Sequence, residues 1–302
     1  MKIRSAFNIR LLLSMLLLSS CANLPSQEMT GPVPFAAGTP TKKAELSPRP
    51  ILYFDGEKLE GGGMELVIEG VYPDGRQLGT LTRGKIAGWS PDGMWFAFFA
   101  GGGATPETLN VMNLQGVVKT IFTPEPGEEI FSVGWQSICS PEGERIALIL
   151  AHRDEFGSVA VINVADSHII SRHRLPSTAL GRPTYKFRWS PDGRKILLVS
   201  STTLVVDTVA GTVETIAEKP TPAEWSPGSD AVFYFDGFWD IEDFLLRKLG
   251  SEKPVKLMDK ERILASGLGQ PVALLHGVLM TLSPSGSKLA IAGGSTKGDC
   301  LS

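Results

Sequence analysis

One short sentence is written several times along this chain, and it limits what the chain can fold into. "GWSPDGMWFAFFA" occupies 88–100 and "RWSPDGRKILLVS" occupies 188–200. Aligned on Ser-Pro, further copies begin at Cys139 ("CSPEGERIALI"), Trp225 ("WSPGSDAVFYF") and Leu282 ("LSPSGSKLAIA"), with a degenerate one at Leu46 ("LSPRPILYF"). The serines are Ser47, Ser90, Ser140, Ser190, Ser226 and Ser283, so the spacings are 43, 50, 50, 36 and 57. Such irregularity fits insertions in loops around a constant unit.

Each part of the motif has a physical task. Proline presets φ for the second turn position, aspartate suits the third, and glycine takes a left-handed site that closes a hairpin. The apolar run that follows reads as a strand buried on both faces. The bulky residue before serine (Trp89, Trp189, Trp225) is placed to fill space between neighbouring sheets. Cys139 stands in the same column and reads as a small buried hydrophobe, with no local support for a bridge to Cys300. A second strand–turn–strand follows most copies, at 64–82, 108–122, 158–175, 203–217 and 244–258.

Each unit is then a four-stranded antiparallel sheet, and such a sheet cannot cover both of its own faces. Stacking the sheets radially around an axis covers them, so the expected fold class is all-β, a β-propeller of four-stranded blades. The 33 glycines and 21 prolines agree with many short strands and tight turns. There are six motif hairpins and five second hairpins. A six-bladed plan with an incomplete last blade is expected, with five blades the alternative if the N-terminal strands clasp the ring.

The repeat resembles that of TolB-type, WD40-like (PD40) propellers over roughly 46–302. The same repeat occurs in the propeller domains of prolyl-oligopeptidase-like peptidases. The TolB resemblance implies a periplasmic scaffold that contacts lipoproteins and other envelope proteins. It carries over no individual contact residue, because the motif is a packing device.

The N-terminus is a separate object. Lys2, Arg4 and Arg10 precede the apolar run "LLLSMLLL" at 11–18. A bilayer core of roughly 30 Å needs about 20 helical residues, so this run reads as a signal peptide. "LSSC", Leu18 to Cys21, resembles the bacterial lipobox, which implies cleavage before Cys21 and lipid on its sulfur. The domain reading is therefore signal peptide 1–20, flexible tether 21–45 and propeller 46–302. Ala22 follows the cysteine. By resemblance to enterobacterial sorting, this favours the outer membrane, with the protein facing the periplasm.

Catalytic constellations are not legible. There is no G-x-S-x-G elbow, and Ser295 in "GGSTKG" misses that spacing. The glycine runs at 61–63 and 101–103 lack the lysine and hydroxyl of a phosphate loop. The four histidines (152, 168, 173 and 276) show no zinc-like spacing. His168 and His173 are expected on opposite faces of one strand, solvated or loosely packed. Neither metal nor cofactor is expected. The net charge of −3 gives no footprint for nucleic acid.

"DGFWDIEDF" (236–244) is the most binding-like stretch: Phe238, Trp239 and Asp240 form a possible partner surface, and Asp236, Asp240, Glu242 and Asp243 a possible calcium site or acidic patch. The functional expectation is a non-catalytic, lipid-anchored protein-binding scaffold of the envelope. The alternative is the propeller part of a serine peptidase whose hydrolase domain lies outside this sequence.

Overall fold

The computed structural model describes residues 50–58, 64–101, 107–131, 138–152, 155–177, 186–236, 243–265, 279–282 and 289–292. All fall within the unit Ser47–Ser302. They form six antiparallel sheets in strict chain order. The first holds β1 (Ile51–Lys58), β2 (Met64–Val71) and β3 (Gln77–Arg83). Four complete meanders follow: β4 (Lys85–Trp89) to β7 (Val118–Phe122), β8 (Glu128–Phe131) to β11 (Ile169–Arg174), β12 (Lys186–Trp189) to β15 (Val213–Ala217), and β16 (Ala223–Trp225) to β19 (Val255–Met258). Within these, β5 is Trp95–Ala100, β6 Thr108–Asn113, β9 Arg145–His152, β10 Glu155–Asn163, β13 Lys195–Val199, β14 Thr203–Asp207, β17 Ala231–Phe235 and β18 Phe244–Lys248. A short helix α1 (Lys260–Ala265) precedes the pair β20 (Leu279–Leu282) and β21 (Leu289–Ala292). The first and last sheets share no strand pairing among the described residues.

The repeat dictates the register. In five of the six copies the residue before Ser-Pro pairs with the residue seven positions on: Trp89 with Phe96, Cys139 with Ile146, Trp189 with Ile196, Trp225 with Val232, and Leu282 with Leu289; Leu46 of the sixth lies outside the described residues. In the copies at Ser90, Ser140, Ser190 and Ser226 the hairpin between the paired residues is a hydrogen-bonded turn. Gly93 N–H donates to the Ser90 carbonyl at 2.9 Å, and Gly193 does the same to Ser190. The serine is more than a turn former. In the hairpin at Ser90, its hydroxyl donates to Asp92 Oδ1 at 2.6 Å and accepts from Trp95 N–H at 3.1 Å. Ser190 repeats this with Asp192 and Lys195. In the Trp225 copy glycine has moved one place earlier, so Ser229 takes the left-handed site at φ 61° and Asp230 accepts from the Ser226 hydroxyl.

The strands after the motif are buried on both faces, as expected: Ile146 to Leu150 and Ile196 to Val199 are all essentially inaccessible. Consecutive sheets share cores. Ile68 and Leu52 of the first sheet meet Phe96, Phe98 and Met112 of the second. One continuous cluster then runs through the second, third and fourth sheets, and another joins the fourth to the fifth. Strand β16 packs beside β20. Four-stranded meanders stacked face to face in chain order make this chain a β-propeller.

The cross-sheet seams carry specific bonds. Trp189 Nε1–H donates to the Ile138 carbonyl of the preceding sheet at 2.9 Å, and Trp225 Nε1–H to the Arg188 carbonyl at 3.2 Å. Arg145 lies 5.1 Å from the Trp189 ring centroid and donates to the Gly193 carbonyl at 2.8 Å. Cys139 is buried and unbridged, and burial pushes its thiol up to about 12. The packing role assigned to this column therefore holds for Trp189, Trp225 and Cys139. Trp89 is half-buried and meets Phe96 edge-on at 5.5 Å.

The histidine expectation needs correction. His168 is not in a strand. It sits in the turn before β11, exposed, with Nδ1 2.6 Å from Asp166 Oδ1. His173 is within β11 and is buried, with Nε2 2.9 Å from the Ser171 hydroxyl. The turn residues Ala165 to Ser167, including Ser167 at φ 64°, take up the spacing that the sequence reading had assigned to strand.

Candidate functional site: the junction of the first strands around Glu224

The expected site residues Cys21, Phe238, Trp239 and Asp240 lie outside the described residues, as do Glu242 and His276. The flanks of the 236–244 stretch are described. Asp236 N–H donates to the Asp243 carbonyl at 2.8 Å, which closes the base of the loop. Lys219 Nζ is 2.9 Å from Asp236, and Lys256 Nζ is 2.6 Å from Asp243. Two of the four acids of this stretch, Asp236 and Asp243, are thus each matched by a lysine. Among the described residues no group of three or more His, Cys, Asp or Glu side chains is placed to hold a metal.

The most concentrated electrostatics lie elsewhere, where the first strands of the fourth and fifth sheets meet. Glu224 on β16 is nearly inaccessible, with its side chain 5% exposed. A buried carboxylate is costly unless paired and hydrogen-bonded. Here every oxygen is engaged. Lys186 Nζ approaches Oε2 at 2.9 Å and Arg188 Nη1 donates to the same oxygen at 2.7 Å. Trp225 N–H donates to Oε1 at 3.0 Å. Lys186 also donates to the Ala223 carbonyl. Burial lowers the Lys186 pKa from its ordinary value; the Glu224 charge and hydrogen bond oppose this, and Arg188 adds to it.

Among the described residues the cluster holds two cations and one carboxylate, which leaves one positive charge without a counter-charge. Lys186 is mostly covered. Arg188 is not: its side chain is 48% exposed. Alternation along β12 sets this arrangement, since successive side chains point to opposite faces. Trp189 turns toward the third sheet and Arg188 toward the fifth. Chemically the junction can bind an anion. Nothing in it pairs a nucleophile with a base.

The sequence reading passed over these three residues. A signal was available: Arg188 and Glu224 occupy the same motif position, two before serine, in successive copies, with opposite charge. A second buried carboxylate, Glu128 on β8, is bonded to Arg172 and accepts from Glu125 N–H at 3.2 Å.

The fold and its seams define a class, a β-propeller built from Ser-Pro hairpin repeats. No family model matches this sequence, and no curated protein sequence does. Solved structures are similar. TolB from Acinetobacter baumannii matches over 73% of this chain at 14% identity, with a TM-score of 0.44, and this chain spans 58% of that one. The C-terminal WD40 domain of Sif2 matches over 70% of this chain and 55% of its own, at 13% identity and TM-score 0.45. Kuenenia stuttgartiensis hydrazine synthase matches over 85% and 77%, at 15% identity and TM-score 0.46.

Proposed function

We propose that this protein is a lipid-anchored β-propeller of the bacterial envelope that acts as a non-catalytic protein-binding scaffold. The lipid is carried by Cys21, and the propeller faces the periplasm from the outer membrane. The observation that carries the reading is the n-region, apolar run and "LSSC" at the head of a chain whose repeat builds a propeller. The motif residues also support a scaffold. Ser90, Ser140, Ser190 and Ser226 are all buried, and those at Ser90 and Ser190 hold their own hairpins. They are structural and are not available as nucleophiles.

The intact mass of the native protein, extracted from its membrane fraction, tests this. A mass that requires acyl chains on a polypeptide beginning at Cys21 is expected. A mass without lipid removes the anchor and leaves an exported propeller. A mass larger by a whole domain brings forward the peptidase alternative, in which this propeller serves a separate hydrolase.

A further inference from the structure

We propose that Arg188 is a carboxylate-recognition point, held ready by Glu224 and Lys186, at which a partner polypeptide docks an acidic side chain or its C-terminus. The inference deepens the scaffold reading and rests on it only for the identity of the ligand as a polypeptide.

Three observations lead there. The first is that Arg188 is fixed. Its Nη1 is committed to Glu224 at 2.7 Å, and its carbonyl accepts from the Trp225 indole at 3.2 Å. Glu224 is itself immobilised by Lys186 and by the Trp225 amide. A guanidinium held in this way has already lost much of the side-chain freedom that binding would otherwise cost.

The second is that its remaining donors are open. Among the described residues, Nε and Nη2 of Arg188 have no partner, and the side chain is half exposed. Nε–H and one Nη2–H are parallel and spaced to meet the two oxygens of a carboxylate, the bidentate arrangement in which arginine differs from lysine.

The third is charge. Among the described residues Glu224 is the only carboxylate in the cluster, and both its oxygens are satisfied, so one positive charge there is left over. A single carboxylate neutralises it. A phosphate dianion would reverse the sign of the cluster beside a buried Glu224. Placement also favours contact with a partner: β12 and β16 are the first strands of their sheets, with β12 unpaired along its other edge among the described residues.

The test uses the full chain in detergent, labelled with ¹⁵N-arginine, with the Arg188 Nε–H signal identified by its loss in Arg188→Lys. The probes are sodium acetate, acetyl-Ala-Ala-Ala with a free C-terminus, the same peptide amidated, and amidated acetyl-Ala-Asp-Ala, with sodium chloride as reference. A saturable shift of that signal with acetate and with the acid-bearing peptides, absent with the amide and with chloride, is expected. Whichever acid-bearing peptide binds more tightly identifies the source, chain terminus or side chain. Calorimetric affinity for that peptide should fall about tenfold or more in Arg188→Lys, which keeps the charge and loses the fork.

An equal response to chloride, or unchanged affinity in both Arg188→Lys and Arg188→Gln, would overturn the proposal. Thermal unfolding of each variant establishes that it is folded. The assay involves no lipid or membrane, so its failure and the failure of the anchored-scaffold reading are read separately.

Discussion

The indole N–H of Trp189 reaches across a sheet boundary to the carbonyl of Ile138 at 2.9 Å, and both residues are almost wholly buried. One side chain thus fills the space between two blades and adds a second hydrogen bond to a buried carbonyl that also accepts from Ala147 N–H at 2.9 Å. Trp189→Phe keeps most of the ring and removes the donor. It should destabilise the propeller by about 1–3 kcal/mol, through the lost hydrogen bond and the gap left by the smaller ring, while the Ile138 carbonyl keeps its bond from Ala147 N–H. Trp89→Phe should cost less than about 1 kcal/mol, because Trp89 is half-buried and makes no such bond among the described residues. Urea midpoints of the two variants, compared at equal slope, check the difference.

Glu224→Gln removes the charge that compensates Lys186 and Arg188. Breaking a buried pair from one side costs about 3–5 kcal/mol, since the remaining charge stays desolvated. Lys186→Met added to Glu224→Gln should recover part of that loss, and a double-mutant cycle in urea measures how much. The pH dependence has a definite sign. Lys186 already has a lowered pKa, so between its folded value and its ordinary 10.5 the unfolded chain binds more protons and stability rises with pH. Losing Glu224, which opposes the shift, should widen this window toward lower pH.

Cys139 should be inert. With its thiol pushed up to about 12 by burial, and further by the charge of Asp92, it carries no appreciable thiolate at neutral pH. Iodoacetamide should leave the Cys139 peptide unmodified in the folded protein and alkylate it in urea, as read by mass spectrometry. The linkage runs opposite to that of Lys186. From 9.0 up to about 12 the unfolded chain loses a proton that the folded one keeps, so stability falls as pH rises through that interval. Cys139→Ala should flatten that part of the curve.

Gly193 and Gly211 both sit at positive φ, 69° and 74°. Alanine at either position meets the left-handed penalty of about 1–2 kcal/mol. A Cβ at Gly211 meets nothing within 4 Å, whereas at Gly193 it would come within 2.6 Å of Glu142 Oε2 and 3.2 Å of Arg145 Nη2. Gly193→Ala should therefore be the more destabilising, and it should also disturb the contact of Arg145 with Trp189. Thermal unfolding with tryptophan fluorescence as the readout separates the two effects.

Much of the fold was legible because its rules are local. Pro91, Asp92 and Gly93 are adjacent, and the turn they form places Trp89 opposite Phe96 whatever the rest of the chain does. The doubly buried strands announced themselves as unbroken apolar runs, Ile146 to Leu150 being the clearest. The serine's task was less visible, since its bond to an amide five residues on depends on the hairpin already being closed. His168 was misplaced for a related reason: side-chain capping by Asp166 and Asn163 lengthened a turn that looked like strand.

The sequence by itself determined the unit: the hairpin, its seven-residue register, and a sheet with two apolar faces that must be covered. Only the tertiary structure decided what the seams would hold. Lys186 and Arg188 lie 38 and 36 residues before Glu224. They meet because consecutive blades stack with their first strands side by side. That relation depends on the packing of whole sheets, and no contiguous stretch of residues encodes it.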